Sequence, residues 1–513
     1  MTNANTTKAT DKDGKHSKPV DCGQSYDDLI QIALDGVREI QNKTPEELRQ
    51  WVARQPPFPP TIPTSGNQVL FITPEGYSAL RKLGRTWQKN DQRPGLLSQT
   101  AAERLAIDAF GQLLDSHPGV FEFENAKARL IGILATQLQS RLQPIHFYFA
   151  ARVFEQPEPS TFHIGPVTFY RRNDWLDMVE RTQGFRVSWK KRALDQWANR
   201  TTRLTRSLNS LADWLSGKIL MRWPKSPLAH KIYQLGADRR YANDVLKAVG
   251  PCEWIIAVEV RGRDHSRAAE SASVAATVAL DTLGLPMPRS AALNLRGPGQ
   301  DVNPRFQREM FQLDNQYLGL SVSIDWPRVG GTPGSHARLI TNMAQLGDAA
   351  GRAIASFLSV EKTKNAELMR RWVEAMYWFG QARRERTEFI ALVKFGIALD
   401  VLAKGGKKEG ILKLTQAILG KSGDDVIASN NRKLKDVVEI LYNDGRSQIA
   451  HGGKLALLHD LPIELDLADR LTAHVLAGYV VHATDYDGVD EYENFFAAIP
   501  TLRLAYMQSS KVG

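Results

Sequence analysis

The sequence predicts an α+β N-terminal region followed by an all-α helical bundle. Segments with β character, such as Phe162 to Tyr170, Trp254 to Val260 and Tyr317 to Asp325, all precede Gly330-Gly331-Thr332-Pro333-Gly334. From His336 onward apolar residues recur three and four apart between short polar joints, the spacing of helices that bury one face. A chain of 513 residues exceeds what one hydrophobic core supports, so two or three domains are expected. The expected divisions are a disordered tail over 1–25, an α+β region over 26–330 that forms one domain or two, a helical connector over 331–374 and the bundle over 375–505.

In chain order, residues 1–24 are too polar to bury a core and read as a tail. Thr44-Pro45-Glu46-Glu47 reads as a capping box with proline at the first helical position, ahead of an apolar face of Leu48, Trp51 and Val52. Gln55-Pro56-Pro57-Phe58-Pro59-Pro60 forbids helix and predicts an extended connector. Ala101 to Asp115 and Ala126 to Arg141 have helical spacing. Phe162 to Tyr170 reads as two strands around Gly165-Pro166. Helix is expected over Trp175 to Glu180 and Leu194 to Leu220, strand at Trp254 to Val260, helix over Arg267 to Leu283 and strand at Tyr317 to Asp325. In the C-terminal part, Phe389 to Leu402 makes a long apolar face stopped by Gly405-Gly406. Ile411 to Leu419, Leu434 to Leu441 and Leu465 to His482 supply the other helices.

The composition is that of a soluble globular protein, with 42% hydrophobic and 24% charged residues. No run approaches eighteen apolar residues and the N-terminus lacks an apolar signal core, which predicts a cytoplasmic protein without a membrane partner. Two cysteines, Cys22 and Cys252, cannot build a disulfide framework or a zinc site alone, and both read as ordinary thiols. The net charge of +10 sits outside the helical C-terminal part: residues 360–510 carry −1. A mild basic excess suits phosphate backbones without requiring them. No cofactor or metal is expected. Gly297-Pro298-Gly299 lacks the Lys and Ser/Thr of a phosphate loop and reads as a turn, and His459, His474 and His482 have no acidic or cysteine partner at ligand spacing.

The segment that carries chemistry is Tyr442-Asn443-Asp444-Gly445-Arg446-Ser447-Gln448-Ile449-Ala450-His451-Gly452-Gly453. Cutting RNA without a metal needs a base for the ribose 2′-OH, an acid for the leaving oxygen and positive charge on the pentavalent phosphate. Histidine exchanges protons near neutrality, and arginine stays charged while gripping two phosphate oxygens. Positions five apart on a straight helix differ by roughly 140°, so both side chains line one cleft only where two such helices face each other, as in a symmetric dimer. Arg141 and His146 share the spacing, but Pro144 interrupts any helix that would present both. Without further context an Arg and a His near a helix end could equally cap carbonyls or pair with Asp444.

The chain here resembles the HEPN superfamily, in its Apea-like branch, over about its last quarter. The carrying residues are Phe395-Gly396-Ile397-Ala398-Leu399-Asp400-Val401-Leu402, then Ile440-Leu441-Tyr442, Gly445-Arg446-Ser447 and Ile449-Ala450-His451-Gly452. The resemblance implies a helical bundle that dimerises so that two motifs form one RNA-cleaving cleft, acting without a metal as a phage-defence or toxin effector. It implies Arg446 and His451 as the catalytic pair, with Tyr442, Ser447 and Asp400 positioning the substrate. One departure matters: many catalytic relatives place Asn, Asp or His after the arginine, where this chain has Ser447. That leaves open a catalytically silent module that binds RNA or a nucleotide, or serves as an assembly surface.

A second candidate for RNA contact is Arg186 to Arg206, whose Lys190, Lys191, Arg192, Arg200, Arg203 and Arg206 interleave with Trp189 and Trp197. A solvated helix with its tryptophans in the core explains the same pattern. Arg383-Arg384-Glu385-Arg386 reads as the exposed start of a helix.

Overall fold

The computed structural model describes residues 25–55, 58–64, 69–90, 96–116, 123–155, 158–181, 245, 247–250, 252–300, 305–313, 317–325, 329–332, 334–427, 431–442 and 461–509. The chain is mostly helical and divides by its contacts into two units, Met1–Gln143 and Pro144–Gly513. The expected tail and the helix over Leu194 to Leu220 lie outside the described residues.

The first unit holds α1 (Tyr26–Gln41), α2 (Pro45–Arg54), a short antiparallel pair β1 (Thr61–Pro63) and β2 (Val69–Phe71), then α3 (Pro74–Asn90), α4 (Gln99–Ser116) and α5 (Phe123–Arg141). The capping box read at Thr44 is present: its hydroxyl accepts from the Glu47 amide while Glu47 accepts from the Thr44 amide. Helix α3 packs on both α1 and α4, and Leu29, Leu34, Leu80, Leu83, Leu105 and Phe110 meet in the core. Beside them Glu103 is buried and takes hydrogen bonds from Gln99, Arg81 and Arg85. Burial alone would raise its carboxyl, but those donors outweigh it and hold it at about 2.

The second unit opens on a sheet of β3 (Ile145–Ala151), β4 (Thr161–Ile164), β5 (Val167–Arg171) and β6 (Trp254–Val260), all antiparallel in the order β3-β6-β5-β4. The expected hairpin of β4 and β5 turns at Gly165, whose φ of +55° is what a two-residue hairpin loop asks of its first position. Strand alternation splits β6 between two faces. Trp254, Ile256, Val258 and Val260 enter the main core, whereas Ile255 packs on the far face against Trp175 and Leu176 of α6 (Arg172–Arg181).

The main core continues without a break into the C-terminal helices. Over the sheet lies α7 (His265–Gly284), whose Ala272, Ala275, Ala276 and Ala279 are fully buried and let neighbours approach closely on several sides. A one-turn α8 (Arg289–Ala292) and the antiparallel pair β7 (Arg305–Leu313) and β8 (Tyr317–Asp325) follow. Then come α9 (Ser335–Asn342), α10 (Ala344–Leu358), α11 (Ala366–Arg384), α12 (Glu388–Leu402), α13 (Lys407–Leu419), α14 (Leu434–Glu439), α15 (Pro462–Asp485) and α16 (Tyr492–Ser509). Helix α10 packs on α7 and α11, and at Gly351 it meets the hairpin turn so closely that a Cβ there would fall 2.5 Å from the Gly165 nitrogen.

The boundaries read from sequence therefore differ from those in the structure. Strand signals end near 330 as expected, but one hydrophobic core runs from Ala151 to Ile499, so the sheet and the helical bundle are parts of one unit. The division falls instead at Gln143 and Pro144, inside the expected α+β region. The first helix of the bundle also begins at Ala366 rather than near Ala375. Asp490 starts it by accepting from the amides of Glu367 and Leu368, and Asn365, at φ +56°, donates to the carbonyls of Ala483 and Tyr486. Among the described residues no helix is long and apolar enough to cross a membrane.

Candidate functional site

The described part of the motif region is built on α12 and α14. Apolar residues surround most of α12: Leu392, Phe395, Ala398, Leu399 and Leu402 are buried, and α11 packs along it, with Phe379 and Phe395 at 5.6 Å between ring centroids. Leu434, Val437 and Val438 fix α14 in the same core. Beyond Glu439 the chain passes through Ile440, Leu441 and Tyr442 in π-helical conformation. Such wider turns are rare and recur at functional positions.

Helix α12 meets this π-helical turn at a glycine. A Cβ built on Gly396 would lie 2.9 Å from the Leu441 carbonyl oxygen, so only a residue without a side chain permits this approach. It brings the Gly396 backbone against the Leu441 carbonyl. Replacing Gly396 with valine should therefore lower stability by about 1–3 kcal/mol, read from the denaturant midpoint, because backbone must move. Gly132 on α5 has open space where its Cβ would be, and Gly132→Ala should instead raise stability by about 0.5–1 kcal/mol.

Tyr442 is half-buried and packs against the main core. Asp400 stands two residues before the end of α12, where its carboxylate accepts the Lys407 amide at 3.1 Å and its carbonyl accepts the Gly405 amide at 2.8 Å. Its visible work is to hold the α12–α13 turn, in which Gly405 takes φ +74°. Arg446, Ser447 and His451 lie outside the described residues, as do Lys190, Lys191, Arg192, Arg200, Arg203, Arg206 and His459.

The cluster Arg383 to Arg386 departs from its sequence reading as an exposed helix start. It ends α11. Arg383 is buried, with Nε and Nη2 on the two oxygens of buried Asp469 at 2.6 and 2.9 Å. Its remaining donors reach the carbonyls of Gly284 and Met287 at the end of α7. Arg384 forms a second two-point pair with Asp281, at 2.5 and 3.1 Å. Only Arg386 is exposed.

Arg384 and Arg386 line a cavity of about 780 Å³, together with Arg289, Arg296 and Tyr377. In the sequence, Arg384 and Arg386 read only as helix-start charges and Gly297-Pro298-Gly299 only as a turn, and Arg289, Arg296 and Tyr377 were missed, because the lining comes from separated stretches, 273–277, 289–300 and 377–386. That turn is present, closed by the Gln300 amide on the Gly297 carbonyl at 3.1 Å, with Gly299 at φ +71°. Of the other expectations, His482 is buried, and burial pushes its imidazole below the usual range, while exposed His474 bonds the Arg470 carbonyl. Cys252 is a free, buried thiol that burial pushes up to about 11, which keeps it protonated. Among the described residues no group of three or more His, Cys, Asp or Glu is placed to hold a metal. No protein-family model, curated protein or solved structure matches the chain.

Proposed function

We propose that the C-terminal helices form a HEPN-type domain that cleaves RNA without a metal, as a defence or toxin effector, in a cleft shared by two copies of the chain. Arg446 would neutralise the scissile phosphate and His451 would move the proton, with Tyr442 beside them. The observation that carries this reading is the contact at Gly396: it joins one residue from each described block of the resemblance, and the Arg446–His451 segment follows the second block in sequence. Asp400, which holds the turn after α12, and Ser447 would help position the substrate.

Ser447 favours a second reading, a silent module of the same fold that binds RNA or a nucleotide or only assembles. Incubating the purified protein with mixed RNA in EDTA distinguishes the two. The nuclease reading predicts shortened RNA with 2′,3′-cyclic phosphate ends, because attack by the neighbouring 2′-OH leaves that product. Intact RNA, whether bound or free, supports the silent module.

A further inference from the structure

The cavity beside α11 gathers an unusual set of groups. Among the described residues, four arginines, Arg289, Arg296, Arg384 and Arg386, line it with one carboxylate residue, Glu385. Arg384 is paired with Asp281, and Glu385 is matched by Lys394 at 2.7 Å, so the described lining residues leave the wall basic. Arg289 reaches the Glu385 carbonyl at 2.8 Å with Nη2, while its Nε lies buried with no hydrogen-bond partner. Burial works against the charge on Arg289, and the carboxylates of Asp469 and Glu388 only partly oppose that, so an anion in the cavity would relieve it.

Tyr377 adds an aromatic face at the rim, 37% exposed, which is unusual for a large ring beside a charged wall. Asn294 and Gln381 add amides that both donate and accept. The volume falls within the range of about 300–1,000 Å³ in which small-molecule sites occur. Arginine forks suit phosphate oxygens, a tyrosine ring suits a flat heterocycle, and side-chain amides suit its polar edge.

We propose that this cavity binds a nucleoside polyphosphate, with phosphates on Arg289, Arg296 and Arg386 and the base on Tyr377. Asn294 and Gln381 read the edge of the base. The proposal does not depend on the nuclease reading.

Calorimetric titration of the full chain tests it, using ATP, GTP, CTP and UTP in EDTA, with pyrophosphate and adenosine as partial probes. Arg386→Glu and Tyr377→Ala are the variants, since the first side chain is exposed and the second partly so; circular dichroism checks that both fold. At least one nucleotide should bind saturably at one site per chain. Arg386→Glu should weaken it and pyrophosphate by roughly tenfold or more, the loss expected of a charged hydrogen bond turned repulsive. Tyr377→Ala should weaken the nucleotide and leave pyrophosphate unchanged. No saturable nucleotide binding, binding indifferent to Arg386→Glu, or pyrophosphate binding as tightly as every nucleotide would each overturn the proposal.

Discussion

His451→Ala lowers the rate of RNA cleavage by roughly 10²–10⁴-fold, the share that a positioned acid or base contributes to such a reaction. The physical reason is that no neighbouring side chain in the segment replaces it. The segment holds no second imidazole, and Asp444 would add negative charge where the phosphate needs the opposite. Arg446→Lys should also impair cleavage while keeping the charge, because an ammonium cannot hold two phosphate oxygens in one plane. Initial rates on a labelled RNA, with protein mass and circular dichroism as controls for folding, provide the check. Retained activity in His451→Ala would refute the assignment.

Arg383→Ala lowers stability by about 3–5 kcal/mol, the cost of leaving a buried charge without its partner. Asp469 would keep both carboxylate oxygens in a site only 2% exposed, and the carbonyls of Gly284 and Met287 would lose the guanidinium donors together. The same guanidinium ties the ends of α7 and α11 to α15, so the sheet-bearing half of the unit and the bundle should loosen together. Replacing both partners, Arg383→Leu with Asp469→Leu, should cost less than Arg383→Ala alone because no charge is left stranded. Chemical denaturation followed by circular dichroism measures all three proteins. A loss below about 1 kcal/mol for Arg383→Ala, the scale of exposed ion pairs, would contradict the buried network.

Local signals were legible where they were self-contained. The capping box at Thr44, the hairpin at Gly165, the alanine-rich α7 and the long helices α12 and α15 each carry their own start, stop or period. What escaped depended on distant partners. Strand β3, with its aromatic run Phe147-Tyr148-Phe149, follows directly on a helix and becomes a strand by pairing with β6 more than a hundred residues later. Arg305 to Leu313 has a mixed polar pattern that suits helix as well as strand, and its antiparallel pairing with β8 settles it. Arg383 and Arg384 look like solvated charges because their acids, Asp469 and Asp281, lie 86 and 103 residues away. The domain boundary misled for a related reason: the end of strand signals marks a change of secondary structure, not a gap in the core that joins Trp254 to Trp372. Of the candidate site, Gly396 and Leu441 lie in stretches that stood out in the sequence, though their contact did not, and the arginine cavity was not legible.

The claim beneath the functional reading is that two chains together make one RNA-cutting cleft. Sedimentation of the purified protein at the concentration where it cleaves RNA tests it most directly. A shared cleft requires a species of twice the 57.3 kDa protomer, with specific activity falling on dilution as dimers separate. A clean 57.3 kDa monomer that cuts RNA at undiminished specific activity would contradict it.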